Sequence, residues 1–221
     1  PFSLTSSLKN YFTLKTSADL DRETVPEYNL SITARDAGTP SLSALTIVRV
    51  QVSDINDNPP QSSQSSYDVY IEENNLPGAP ILNLSVWEPD ATQNARLSFF
   101  LLEQGAETGL VGRYFTINRD NGIVSSLVPL DYEDRREFEL TAHISDGGTP
   151  VLATNISVNI FVTDRNDNAP QVLYPRPGGS SVEMLPRGTS AGHLVSRVVG
   201  WDADAGHNAW LSYSLLGSPN Q

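Results

Sequence analysis

Along much of this chain, apolar and polar residues alternate with a period of two, as in strands with one dry and one wet face. Tyr28, Leu30, Ile32 and Ala34 are interleaved with Glu27, Asn29, Ser31, Thr33 and Arg35. Phe138, Leu140, Ala142 and Ile144 repeat that rhythm, and so do Ile156, Val158, Ile160 and Val162. A strand over 45–53 turns Val48, Val50 and Val52 inward. Shorter strands are expected at 11–14, 67–72, 81–87, 96–102, 114–117 and 123–125, the last two flanking the turn Asp120-Asn121-Gly122. The motifs DAGTP at 36–40 and DGGTP at 146–150 supply turns between the longer strands.

The pattern recurs at an offset of 110 residues, which separates Asp54 from Asp164. Leu-Asp-Arg-Glu at 20–23 is answered by Leu-Asp-Tyr-Glu at 130–133, and Glu73 by Glu183. Glu-Pro-Asp at 88–90 is answered by Asp-Ala-Asp at 202–204, 114 residues on, so four residues have been inserted. One complete repeat, 59–168, is therefore expected between two partial ones, 1–58 and 169–221. Both ends fall inside domains, which reads as part of a longer chain. Seven short strands in about 110 residues, with turns between them, predict an all-β Greek-key sandwich.

The segments DINDNPP at 54–60 and DRNDNAP at 164–170 each pack carboxylates and amides into a turn-rich run closed by proline. Hard oxygen donors in such numbers suit calcium, whereas zinc and copper prefer nitrogen and sulfur. A lone run of this kind is usually a solvated turn. Here acids recur in four separate parts of the repeat, and a sandwich gathers its loops at two poles. One junction then collects Asp21, Glu23, Asp54 and Asp57 with Glu88, Asp90 and Asp146. The other collects Glu73, Asp131, Glu133 and the Asp164 run with Asp202 and Asp204. Two carboxylates about 5 Å apart repel by roughly 3 kcal/mol at an effective dielectric near 20, so such junctions need cations.

Composition narrows the function classes. A net charge of −12 leaves nothing basic enough to track phosphates. Hydrophobic content of 38% suits small cores, and no apolar run approaches the roughly 20 residues a membrane span needs. Cysteine is absent, so there is no disulfide framework. Sequons at Asn29, Asn83 and Asn155 lie on strand positions that alternation assigns to solvent, which points to an extracellular protein carrying N-glycans. His143, His193 and His207 share no metal-ligand spacing, and no nucleophile elbow, phosphate loop or zinc pattern is present. Trp87, Phe100 and Phe161 point outward by alternation and read as shielded surface or edge packing rather than ligand platforms. An enzyme is not expected.

The motif set LDRE and LDYE, DAGTP and DGGTP, EPD and DAD, DINDNPP and DRNDNAP resembles that of cadherin ectodomains. The stretches IEENNLPGA, QVLYP and NAWLSY narrow the resemblance to clustered protocadherins of the gamma group, C-type members among them, at the end of the fourth, the whole fifth and the start of the sixth repeat. The resemblance implies about three calcium ions at each junction. At the first it assigns Asp21, Glu23, Asp54, Asn56, Asp57, Asn58, Glu88, Asp90, Asn94 and Asp146 as ligands, the bridging glutamate lying upstream. Glu88 stands where the family usually has Asp. At the second it assigns Glu73 as the bridging glutamate, with Asp131, Glu133, Asp164, Asn166, Asp167, Asn168, Asp202, Asp204 and Asn208.

The resemblance also implies calcium-dependent homophilic adhesion at the outer face of the plasma membrane, by a single-pass receptor with related protocadherins as partners in cis and in trans. Its apolar cis patch matches Tyr174, Leu194, Val199 and Ala209. Independently, Leu194, Val195, Val198 and Val199 crowd one expected strand whose alternation cannot bury all four. A calcium-stiffened spacer with no adhesive surface of its own is the competing reading.

Overall fold

The computed structural model describes residues 1–102, 109–176 and 182–217. Strand β1 (Phe2–Leu8) pairs antiparallel with β2 (Tyr11–Thr16), and β3 (Glu27–Arg35) pairs antiparallel with β4 (Ser43–Gln51). There follow β5 (Gln61–Ser62), β6 (Ser66–Glu72), β7 (Pro80–Asn83), β8 (Val86–Trp87) and β9 (Ser98–Leu102). A short helix α1 (Leu110–Tyr114) precedes β10 (Phe115–Ile117), β11 (Ile123–Ser126), β12 (Glu137–Ser145) and β13 (Ala153–Thr163). Strands β14 (Gln171–Tyr174) and β15 (Val199–Trp201) pair with each other.

The sheets are four-stranded β6-β13-β12-β9, three-stranded β10-β11-β7, and the pairs β1-β2, β3-β4, β5-β8 and β14-β15. The expected all-β sandwich is what forms. Its filling comes from the alternating residues: Phe138, Leu140, Ala142 and Ile144 of β12 and Ile156, Val158, Ile160 and Val162 of β13 are all buried. Burying a large aliphatic side chain stabilises by about 1.5–3 kcal/mol, so these two strands hold the fold's main reserve. Strand β3 follows the same alternation less completely, with Tyr28, Leu30 and Ile32 half-buried but Ala34 exposed.

One pairing positions the chemistry. β6 runs parallel to β13, in register from Ser66 opposite Ser157 to Glu72 opposite Thr163. Parallel strands deliver their C-terminal ends to the same edge, so Glu73 and Asp164 emerge side by side. The Glu73 N–H donates to the Thr163 carbonyl at 3.1 Å.

By Cα packing the chain forms two compact units. One comprises Pro1–Ser63, Ser85–Ser98 and Ile144–Thr154; the other comprises Gln64–Leu84, Phe99–His143 and Asn155–Gln221. Each unit contains all of this chain's residues expected as ligands at one junction.

Several elements depart from the sequence reading, β5 among them, where no strand was expected. The expected strand 81–87 is two strands in different sheets, broken where Leu84 turns into the core and its N–H bonds to the Gly122 carbonyl at 3.3 Å. Gly122 itself is required: it sits at φ +69, and a Cβ there would lie 2.8 Å from the Phe99 ring. Helix α1 precedes the short strand expected at 114–117, and β1 was not expected at all. Finally, Leu194, Val195 and Val198 lie outside any strand, and only Val199 belongs to β15. The ladder there stops at Tyr174 opposite Val199, because Pro175 follows with no N–H to extend it.

Candidate metal centres

In the first unit, Asp21 opens a tight turn. Its Oδ1 accepts the N–H groups of Glu23 (2.9 Å) and Thr24 (3.2 Å), and these bonds, led by the Thr24 hydroxyl, hold its carboxyl below the usual range. That turn aims Glu23 at the DINDN run, where carboxylate oxygens of Glu23, Asp54 and Asp90 lie within 4.8 Å of one another. Asp54 accepts the Ala91 N–H at 3.1 Å and the Asn94 amide at 2.9 Å. Asn58 donates to Asp90 from its backbone (3.3 Å) and from its side chain (2.8 Å), and to Asp57 at 2.7 Å. The Asn56 amide donates to Asp146 at 3.0 Å, whose carboxylate also orders the turn through the N–H groups of Gly148 and Leu152. Glu88 accepts the Asp90 N–H at 3.3 Å. Loss of water, then the charges of Asp90, Asp146 and Asp54, raise its pKa.

The second unit repeats the bonds around Asp54, Asn58 and Asp21. Asp164 accepts the Ala205 N–H (3.2 Å) and the Asn208 amide (2.8 Å), and Asn168 donates to Asp204 from backbone (3.2 Å) and side chain (2.9 Å). Asp131 accepts the N–H groups of Glu133 (2.9 Å) and Asp134 (3.2 Å), and Asp202 accepts that of Asp204 at 3.1 Å. Glu73, fully withdrawn from solvent, takes N–H groups from Tyr132 (2.9 Å) and Arg165 (2.7 Å). Two sets of acids converge: Glu73, Glu133 and Asp164, and Glu133, Asp167 and Asp204, each with oxygens within 4.8 Å. Loss of water around its carboxylate, then the charge of Glu73, push Glu133 up to about 7.

Of the expected ligands, Asp21 and Asp131 spend hydrogen bonds on their own turns, and Asn166 is exposed on the rim. Of the rest, Glu23, Asp54, Asp90, Glu73, Glu133, Asp164, Asp167 and Asp204 converge in the clusters and Asn58, Glu88, Asn94, Asn168, Asp202 and Asn208 bond directly to them, while Asp57 bonds to Asn58 and Asn56 to Asp146. Sequence reasoning missed Arg22, whose guanidinium sits between Glu23 and Asp54, and Asn74, whose amide donates to Asp167. Arg22 was visible as a cation between two ligand positions of LDRE; Asn74 had only its place beside Glu73.

The donor set fits calcium on two observations. Every buried carboxylate among the described residues, namely Glu73, Asp90, Asp146, Asp202 and Asp204, is one of the ligands expected at the two junctions. Moreover, Asn56 Oδ1, Glu88 Oε2, Asp164 Oδ1 and Asp204 Oδ2 are buried with no hydrogen-bond partner in the protein. A buried oxygen left unpaired costs about 1–3 kcal/mol, more when charged, and a cation removes that cost.

The cadherin-domain family profile matches residues 2–53 and 67–163. The chain belongs to the cadherin family. Cadherins are cell-adhesion proteins, not enzymes. Among cadherins, protocadherin gamma-C3 of Pan troglodytes and of Homo sapiens are each 99% identical over 221 residues, all of this chain and 24% of the relative. The chain thus spans about a quarter of the length of these curated relatives. A solved "Protocadherin gammaB7 EC3-6 cis-dimer structure" aligns with TM-score 0.91 and 43% identity over 99% of this chain and 54% of that one. The protocadherin gammaB4 extracellular domain aligns with TM-score 0.92 and 42% identity, over 100% of this chain and 35% of that one.

Proposed function

We propose that this cadherin chain is part of the extracellular region of a calcium-dependent, homophilic, single-pass adhesion receptor at the plasma membrane. Its repeats, 1–58, 59–168 and 169–221, are stiffened by about three calcium ions at each junction. The observation that carries this reading is that every described buried carboxylate, and all four buried unpaired oxygens, belong to the two expected ligand sets. Calcium supplies the compensating charge. The chain's own residues divide the labour: Glu73, Asp54 and Asp164 present buried oxygens, while Asn58, Asn94, Asn168 and Asn208 brace the acids by amide hydrogen bonds.

In this reading the surface around Tyr174, Leu194, Val199 and Ala209 pairs side by side with a second copy on the same membrane. Tyr174 and Val199 stand opposite each other in the β14-β15 ladder and are about half exposed, Leu194 is more exposed still, and Ala209 is half-buried. The solved cis-dimer relative supports side-by-side pairing. Sedimentation of the ectodomain containing this chain, in calcium, is expected to show a reversible dimer. A monomer at every accessible concentration favours the spacer reading.

Asn29, Asn83 and Asn155 are exposed, so a glycan at each costs the fold little. Asn155 Oδ1 also accepts from His143 Nδ1 on the neighbouring strand at 2.8 Å, and the Asn29 amide donates to Glu27 at 3.3 Å. Peptide mass spectrometry of secreted protein is expected to find glycan on all three. Three bare sites would remove the glycoprotein part of the reading.

A further inference from the structure

We propose that Arg22 is an internal cation that clasps the first junction when calcium is scarce and competes with calcium for two of its ligands. The inference rests on the calcium reading above.

Arg22 Nη2 lies 2.5 Å from Glu23 Oε1 and donates to the Pro89 carbonyl at 2.9 Å. Its Nε is 2.6 Å from Asp54 Oδ1, a charge contact whose angle does not make a hydrogen bond. The side chain is only 18% exposed, so these contacts are poorly screened. Glu23 and Asp54 are two of the three acids whose oxygens converge with Asp90. Pro89 lies between Glu88 and Asp90, the acids expected to close the site from the following repeat. One side chain therefore neutralises part of the cluster and ties down the loop that closes it, with no metal involved.

The second junction has no equivalent at this position. Glu133 and Asp164 occupy the places of Glu23 and Asp54, but Tyr132 stands in the place of Arg22. The Tyr132 ring packs under the Arg136 guanidinium at 4.8 Å, and its N–H serves Glu73. The two junctions share their amide and carboxylate pattern yet differ in built-in positive charge. Calcium must displace or share the guanidinium at the first, but meets bare repulsion at the second. The first should stay closed at lower calcium, and its ions should bind more weakly than the bare cluster would allow.

Hydrogen exchange of the ectodomain containing this chain separates these effects, because the Ala91 and Ala205 N–H groups bond to Asp54 and Asp164. In chelator, exchange over 88–94 is expected to be slower than over 202–208. Arg22→Tyr should speed it about tenfold at 88–94 only, the scale of one charge-assisted contact. The same variant should lower the calcium concentration needed to protect 88–94, whereas a merely structural role for Arg22 raises it. Arg22→Lys, which keeps the charge, should hold the calcium midpoint near wild type. Tyr132→Arg is the independent converse: it should slow calcium-free exchange at 202–208, and no slowing there counts against the clasp even if Arg22→Tyr misfolds. The clasp is overturned if Arg22→Tyr leaves chelated exchange unchanged or moves its calcium midpoint upward. Wild-type exchange identical with and without calcium would instead sink the calcium reading, while the chelated comparison still reports on Arg22.

Discussion

Chelating calcium is expected to lower the melting temperature of the ectodomain by roughly 10 °C and to make its junctions flexible. The magnitude follows from weak sites acting together. Extracellular calcium modules bind at about 10⁻⁴–10⁻³ M. At about 1 mM calcium each ion then adds roughly 0.4–1.4 kcal/mol, so three ions stabilise a junction by about 1–4 kcal/mol. The structural reason is the carboxylate crowding: oxygens of Glu73, Glu133 and Asp164 lie within 4.8 Å, where each charge pair repels by roughly 3 kcal/mol at an effective dielectric near 20. Glu73 cannot relieve this by turning to water, being 2% exposed and fixed by two backbone N–H groups. Asp167→Ala removes a carboxylate from one of the second unit's two convergent sets, so it should weaken calcium protection there and leave the first junction unchanged. Calorimetry measures the stability and small-angle scattering the flexibility. Superimposable scattering curves with and without calcium would refute the expectation.

The acids were legible in the sequence because their function demands it. A calcium site needs several oxygens from separated loops, and a repeated domain must repeat them, so the offset of 110 residues exposes Asp21 with Asp131 and Asp54 with Asp164. The core strands were legible for a similar reason. One buried face forces alternation, and Phe138 to Ile144 and Ile156 to Val162 obey it wherever a sheet covers them. What stayed hidden depends on partners that periodicity does not encode. The break at Leu84 arises because one run serves two sheets, pairing Leu82 with Val124 and Val86 with Ser62. The crowding of Leu194 to Val199 looked like a strand, but a strand needs a neighbour's backbone, and Pro175 ends that ladder. Arg22 was hidden differently: its motif reads as a ligand signature, and only the geometry shows its cation facing inward between two of those ligands.

Val199→Asp is expected to abolish the side-by-side dimer while leaving the monomer folded. Val199 is 48% exposed and Tyr174, its partner across the ladder, 49%, with Leu194 at 65%, so apolar surface reaches solvent here. Exposed apolar surface of this kind usually marks an interaction site. In the monomer an aspartate at this position points to water and costs at most about 1 kcal/mol in strand preference. In the dimer the same charge loses its water and gains no partner, a penalty of several kcal/mol, which amounts to at least a hundredfold loss of affinity. Val151→Asp is the matched control, since Val151 is 61% exposed and lies outside the proposed patch. Sedimentation in calcium should therefore show a dimer for wild type and Val151→Asp, and a monomer with an unchanged melting temperature for Val199→Asp. An unaltered dimer for Val199→Asp would move the pairing surface away from β15, and loss of the dimer with both variants would point to net charge rather than this patch.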